Sequence, residues 1–192
     1  MRPLGWGAKV SPEFCNRVRQ IADKLGTEPD FLMACMSFES GRTFDPSVKN
    51  MAGSGAVGLI QFMPSTAKEL GTTTFELSVM SSVGQLDYVE KYMMRFKNRL
   101  MTLSDCYMAI LWPAAVGKPE DYVLFYNVDF PKPEDVTDQM WQRLLRSPKR
   151  YRQNNGLDID KNGKITKAEA ASKLNKMLAE GRLPKNLEKI NG

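Results

Sequence analysis

The chain has 192 residues, a formal net charge of +5 and no histidine. Without histidine, Ser-His-Asp and Cys-His catalysis and histidine-ligated zinc are excluded, so an enzyme of this sequence works with carboxylates, hydroxyls, amides or lysines. No apolar run approaches the ~20 residues of a membrane span, and no nucleic-acid motif accompanies the basic charge. Three cysteines without paired spacing predict buried free thiols.

Two helices are predicted before residue 41. The first begins at its cap Ser11, with Pro12 in the first turn, and ends at Gly26. Its apolar residues recur at helical spacing and predict a buried stripe: Phe14, Val18, Ile21 and Leu25. The second begins at Thr27, interpreted as a cap with Asp30 three residues on, and ends near residue 41.

The rest of the chain also predicts a mainly α protein. A loop over residues 42–62 precedes a short helix over 64–71, a long helix over 81–101 and a further helix over 103–111. A short strand is predicted within 122–130, and a helix over 133–146. Residues 147–156 are polar and basic, which places a boundary between a domain of residues 1–150 and a C-terminal segment of residues 151–192.

The second helix carries an acid on its apolar face. Leu32, Cys35, Met36 and Glu39 fall at positions i, i+3, i+4 and i+7, so Glu39 points where the apolar side chains point. A desolvated carboxyl group has a raised pKa and can donate a proton to a leaving sugar oxygen. The simpler alternative is that Glu39, near the helix end, turns to solvent.

The loop after Glu39 carries a family resemblance. Glu39-Ser40-Gly41 followed by GSGAVGLIQFMPSTAKELG, residues 53–71, resembles the lytic transglycosylase domain, which has a goose-lysozyme-like fold, and the phage members most of all. The close match covers residues 31–71, and the helix with Tyr88 and Tyr92 matches more loosely. The resemblance implies a lysozyme-like helical domain that cleaves the MurNAc–GlcNAc bond of peptidoglycan glycan strands.

The resemblance also implies roles for individual residues. Glu39 would be the single catalytic acid/base, without a cofactor for catalysis, and Gln61 would line the sugar cleft. Ser54, Tyr88 and Trp112 are predicted as further substrate-binding residues. In transglycosylases the substrate's N-acetyl group is thought to stabilise the cation, and the muramic acid 6-hydroxyl then attacks to leave a 1,6-anhydro end. A goose-type muramidase would instead position water with a second acid, for which the candidates are Asp45, Asp87 and Glu90.

One motif departs from the family pattern. The expected A-Y-N-x-G segment corresponds here to MAILWPAAVGKP, in which Trp112-Pro113 stands where Tyr-Asn is usual. Trp112 could stack on a sugar or belong to the core. Tyr126-Asn127 offers the missing pair at the wrong spacing. The departure leaves open a second hypothesis, a non-catalytic calcium-binding virion protein that grips glycan.

Residues 158–169, DIDKNGKITKAE, match the EF-hand pattern D-x-[DN]-x-[DN]-G-x5-E at every position. This predicts an EF-hand-like helix-loop-helix with oxygen ligands for Ca²⁺ from the side chains of Asp158, Asp160, Asn162 and Glu169 and from the backbone carbonyl of Lys164. With a single loop visible, a structural clamp is favoured over a calcium sensor. The alternative is an acidic turn that has lost its ion. The following helix is predicted to pack on the main domain through Ala168, Ala171, Leu174 and Leu178.

The sequence also carries expectations about location and assembly. Its start, MRPLGWGAKVSPEF, lacks the apolar core of a signal peptide. We therefore expect synthesis in a host cytoplasm and action in the periplasm or cell wall, either after release through a holin pore or as a virion component. The protein is expected to be a monomer unless it is assembled in a virion.

Overall fold

The computed structural model describes residues 2–50, 53–145 and 149–189. The chain divides into two compact units, one of residues 1–117 and 174–192 and the other of residues 118–173. The end of the helix predicted over 133–146 and the start of the polar segment at 147 lie outside the described residues. The boundary between domains 1–150 and 151–192 stays a prediction.

The first unit is helical in its described residues. Its α-helices are α1 (Pro12–Leu25), α2 (Pro29–Glu39), α3 (Pro64–Glu69), α4 (Thr74–Val79), α5 (Ser82–Met93) and α6 (Leu103–Leu111). Helix α1 packs against α2 and α5, and α2 also packs against α6. The interior of this unit lies among these four helices, and the acid at the end of α2 is therefore placed at the margin of a packed core.

The second unit contains the small sheet. Strands β1 (Val123–Tyr126) and β2 (Lys164–Thr166) pair antiparallel, with Phe125 opposite Ile165. Helices α7 (Asp138–Leu145) and α8 (Lys149–Asn154) lie between them in the chain, and α9 (Lys167–Gly181) begins directly after β2. The mainly α prediction is confirmed, and so is the short strand in the segment after residue 122.

Local chemistry explains the first helix. The Ser11 hydroxyl accepts a hydrogen bond from the Phe14 amide at 3.2 Å, as an N-cap side chain does. Gly26 ends the helix in the left-handed region at φ 71°. The predicted apolar stripe is buried, and the three cysteines are free and buried, as expected.

Several predictions about the helices are wrong, and the helix predicted from residue 133 begins only at Asp138. Thr27 does not cap α2, because its hydroxyl donates to the Leu100 carbonyl at 2.6 Å and the helix begins at Pro29. The helix predicted over 81–101 ends at Met93 and continues as a 3₁₀ turn, Met94–Phe96. Helix α4 was not predicted. On α9, Ala168 is exposed and the buried face includes Ala170 and Met177 instead.

Asp30 shows why the capping prediction failed. Its carboxylate accepts hydrogen bonds from the Gly5 amide at 2.9 Å and from the Arg2 and Arg182 guanidinium groups. Burial alone would raise the pKa of Asp30, but these donors lower it. The side chain is therefore occupied in joining residues distant in the chain, which local spacing cannot reveal.

Within the described residues, the structure has no helix long and apolar enough to cross a membrane.

Candidate active site

Helix α2 places Glu39 at its last turn, on the face that buries Leu32, Cys35 and Met36. Desolvation by burial raises the pKa of the Glu39 carboxyl from its ordinary value of 4.5 to about 7. Among the described residues, no group donates a hydrogen bond to this carboxyl. Glu39 is therefore a carboxylic acid that holds its proton close to neutral pH.

The chain turns sharply after Glu39. The Ser40 hydroxyl donates to the Met36 carbonyl at 2.6 Å and accepts from the Phe44 amide at 3.0 Å. Gly41, Arg42 and Phe44 all have positive φ, between 54° and 69°. The Phe44 ring is buried against Phe14, with 5.9 Å between ring centroids. The turn is therefore fixed by packing, and Ser40 shapes the backbone rather than facing a substrate.

The glycine-rich loop is braced by a side chain that the sequence did not single out. Gln85 on α5 is fully buried, and its Oε1 accepts from the Leu59 amide at 2.7 Å while its Nε2 donates to the carbonyls of Pro46 and Leu77. Gly58 has φ 86°, and a Cβ there would lie 2.3 Å from Gln85 Oε1. Glycine is required at this position because Gln85 fills the space that a side chain would need.

Gln61 lies at the end of the same loop, at φ 53° and half-buried. Its Nε2 donates to the carbonyls of Val48 and Gly58, both at 3.1 Å. Gln61 also lines a small cavity of about 40 Å³ together with Tyr92 of α5. The amide nitrogen therefore holds the loop in place, and its predicted contact with sugar stays a prediction.

A cleft of about 370 Å³ opens beside the glycine-rich loop. The loop contributes Gly53, Gly55 and Val57 to its lining, and helix α4 contributes the exposed ring of Phe75. Phe75 has 73% of its surface exposed, and an aromatic face of this kind can pack on a saccharide ring. Sequence reasoning missed Phe75 because α4 was not predicted.

The other predicted substrate-binding residues are dispersed. Ser54 is exposed in the loop and accepts from the Ala56 amide at 3.3 Å. Tyr88 is half-buried on α5, and Trp112 is half-buried at the C-terminal cap of α6. Tyr126 and Asn127, the alternative Tyr-Asn pair, belong to the second unit, where the Asn127 amide donates to the Gly163 carbonyl at 2.7 Å. That contact gives the pair a structural role next to β2.

Tyr107 of α6 is a neighbour of Glu39 that sequence reasoning missed. Burial raises the pKa of the Tyr107 phenol, and the negative charge of ionised Glu39 raises it further. The ring packs edge-on against Phe38, with 5.6 Å between ring centroids. The amphipathic spacing of α6 gave no signal that this tyrosine would approach the acid, since the contact depends on how α2 and α6 pack.

The three acids considered as a second catalytic group have other partners. Asp87 and Glu90 accept hydrogen bonds from Arg17, and Glu90 also accepts from Lys24 at 2.7 Å. Asp45 accepts from the Ser47 amide and hydroxyl, both at 2.7 Å. These three carboxylates are engaged in ion pairs or a local turn. None of them is a cause of the raised Glu39 pKa, which results from burial.

The residues predicted to bind calcium come together in the second unit. Oxygen atoms of Asp158, Asp160 and Glu169 all lie within 4.8 Å of one another. Asn162 is hydrogen-bonded into the same loop, with its Nδ2 donating to Asp160 at 2.8 Å. Gly163, at φ 80°, makes the sharp turn that the pattern requires.

Comparison with known families agrees with the geometry of the first unit. Residues 16–104 match the model of the family described as "Transglycosylase SLT domain". The match includes Glu39, the glycine-rich loop and α5, and it ends before Trp112, where the sequence departs from the expected motif. No solved structure matches the chain.

The match and the helical architecture together define the class. Residues 16–104 of the first unit are similar to a transglycosylase SLT domain, and the mainly helical architecture confirms the predicted lysozyme-like fold of this part of the chain. Proteins of this family are peptidoglycan-cleaving lytic transglycosylases, so the domain indicates degradation of peptidoglycan of the lytic-transglycosylase type.

Proposed function

We propose that the protein cleaves the β-1,4 bond between MurNAc and GlcNAc in peptidoglycan and leaves a 1,6-anhydro-MurNAc end. One observation carries the proposal: Glu39 is a half-buried carboxyl whose pKa is raised to about 7 by desolvation. In the first step Glu39 donates its proton to the oxygen of the leaving GlcNAc. The glycosidic bond breaks, and positive charge develops at the MurNAc anomeric carbon.

In the second step the same carboxylate acts as a base. The substrate's own N-acetyl oxygen stabilises the cationic centre, as the resemblance to lytic transglycosylases implies. Glu39 then accepts the proton of the MurNAc 6-hydroxyl, whose oxygen bonds to the anomeric carbon. Glu39 is reprotonated by the 6-hydroxyl, its original proton leaves on GlcNAc, and no water is consumed.

The surroundings of Glu39 support one acid rather than two. Ordinary retaining and inverting glycosidases place a second carboxyl within about 5–9.5 Å of the first. A second ionised carboxylate at that distance would raise the Glu39 pKa through charge repulsion, but among the described residues burial is the cause of the shift. A goose-type muramidase, which positions water with another acid, is the alternative chemistry.

The variant Glu39→Gln tests the assignment, because glutamine keeps the shape of the side chain and cannot donate or accept the proton. We expect release of soluble muropeptides from purified sacculi to fall by about 10²–10⁴-fold. The control is Glu13→Gln, an exposed acid in the first turn of α1, which should keep full activity. Equal release by wild type and Glu39→Gln would overturn the proposal.

The resemblance to phage members supports the setting in which we propose that this activity operates. The enzyme would reach the wall through a holin pore during lysis or as part of a virion during entry. Detection of the protein in purified virions would support entry, and its appearance only in lysing cells would support lysis.

A further inference from the structure

We propose that residues 158–169 bind one Ca²⁺ and that the ion clamps the end of α8 to the first turn of α9. The observation that points to a ligand is a buried oxygen without a partner. Asp158 is 1% exposed, and its Oδ1 has no hydrogen-bond partner in the described part of the chain. A buried, unpaired carboxylate oxygen costs free energy that a cation would recover.

The other oxygen of Asp158 is already used by the loop. Asp158 Oδ2 accepts from the Gly163 amide at 3.1 Å and from the Tyr151 hydroxyl. These two bonds hold the carboxylate in place while Oδ1 stays without a donor. The side chain is therefore anchored by one oxygen, and the other has no donor of its own.

The spacing of the cluster fits calcium. Oxygens bound to one Ca²⁺ at 2.3–2.6 Å lie at most about 5 Å apart across the ion. The ligand oxygens of Asp158, Asp160 and Glu169 lie within 4.8 Å of one another. Three carboxylates at this separation repel each other, and a divalent cation among them removes the repulsion.

Glu169 is held where a closing ligand is needed. Its Oε1 accepts from the Ile159 amide at 3.0 Å, and its Oε2 accepts from the Thr166 amide at 2.9 Å and hydroxyl at 2.8 Å. The carboxylate therefore bridges the start and the end of the loop. Oε1 accepts one hydrogen bond and keeps a second lone pair for an ion, whereas Oε2 already accepts two.

Strand β1 supports the backbone of the loop, a role that a second calcium loop plays in paired EF-hands. β2 lies within the loop and pairs with β1, and Ile165 is fully buried opposite Phe125. The loop's backbone edge is thus covered by a strand of the same unit, so a second calcium loop is not needed to support it. The Lys164 side chain lies toward Asp135, 3.6 Å away, which leaves its backbone carbonyl as the possible ligand.

Isothermal titration of the full chain with CaCl₂ tests the proposal without any measurement on glycan, so its result is independent of the transglycosylase assignment. We expect one site per chain, with a Kd within the 10⁻⁹–10⁻³ M range of calcium loops. Binding should also raise the Tm by a few degrees, because the ion binds the folded state.

Two variants identify the ligands. Glu169→Gln should weaken Ca²⁺ binding at least tenfold. Asp160→Asn, on an exposed side chain, should also weaken binding at least tenfold. It replaces Glu169→Gln as the test if far-UV circular dichroism shows that Glu169→Gln perturbs the fold. The matched control is Asp121→Asn, an exposed acid of the same unit, which should bind like wild type. Absence of binding heat and of any Tm shift at millimolar Ca²⁺, or unchanged binding by both ligand variants, would overturn the proposal.

Discussion

At the scale of single residues, the raised pKa that suits Glu39 to proton transfer also lowers the free energy of unfolding above pH 4.5. Raising the carboxyl pKa from 4.5 to about 7 means that the unfolded chain ionises more readily than the folded one. The contribution of the group to folding is complete below pH 4.5 and is lost as the pH rises to 7. At pH 8 the loss amounts to about 3 kcal/mol.

We therefore expect Glu39→Gln to be more stable than wild type at pH 8, by up to about 3 kcal/mol, with a smaller difference at pH 4.5. Urea unfolding at both pH values measures this, and the difference between the two proteins cancels the titration of other groups. The exposed acid Glu13 provides the matched control variant, Glu13→Gln, measured in the same way. A difference that is the same at both pH values would contradict the raised pKa.

Gly58 is the residue whose replacement should harm the loop most clearly. Gly58→Ala places a Cβ 2.3 Å from Gln85 Oε1 in a backbone of φ 86°, so both the backbone and the Gln85–Leu59 hydrogen bond are strained. Gly71→Ala is the matched control, because Gly71 has φ 81° with nothing within 4 Å of the added Cβ.

We expect Gly71→Ala to reduce the free energy of unfolding by about 1–2 kcal/mol and Gly58→Ala by a further 1–3 kcal/mol, the cost of disturbing a buried hydrogen bond. Chemical denaturation measures both values. Equal losses in the two variants would mean that the contact with Gln85 contributes nothing.

At the scale of elements, spacing predicted the helices whose ends carry local signals. Ser11 and Gly26 delimit α1 as expected, because capping depends on neighbours in sequence. Thr27 and Asp30 carried an equally plausible capping signal, but their side chains bond to Leu100 and to Gly5. The same spacing can serve either use, and which one is realised depends on tertiary contacts.

The candidate site also combines residues that local sequence signals reveal with residues that only tertiary packing brings together. The position of Glu39 on an apolar face followed from helical periodicity, and its raised pKa agrees with that burial. Tyr107, Gln85 and Phe75 could not be found in this way, since each reaches the site or its loop from another helix. Helix α4 was missed although its capping box, Thr73 with Glu76, is a signal that the sequence carries.

Helix α4 suggests how glycan is held beside the loop. We expect Phe75→Ala to weaken binding to sacculi about 3- to 10-fold, which corresponds to one aromatic contact of about 0.5–1.5 kcal/mol. The measurement is co-sedimentation with purified sacculi in the Glu39→Gln background, where cleavage does not deplete the ligand.

The control for Phe75 is Val79→Ala on the same helix. Val79 is 68% exposed and is not among the residues lining the cleft, so its replacement should leave binding unchanged. If both variants bind like wild type, the cleft beside α4 is not part of the glycan-binding surface.

At the scale of the whole molecule, the two units carry different chemistry. The first unit holds the SLT domain match and Glu39, whose carboxyl pKa is raised by desolvation. The second holds the acidic loop of residues 158–169, which was recognisable because its acidic residues lie close together in sequence. Motifs contained within one loop are visible in a sequence, whereas a cleft assembled from several helices is not.

The most direct test of the central claim is mass spectrometry of the fragments that the protein releases from purified peptidoglycan, with Glu39→Gln as the blank. Our account predicts muropeptides ending in 1,6-anhydro-MurNAc, absent from the blank, because a single carboxyl group without an activated water leads to internal attack by the 6-hydroxyl. Muropeptides ending in reducing MurNAc would contradict it, since they require water positioned by a second catalytic acid.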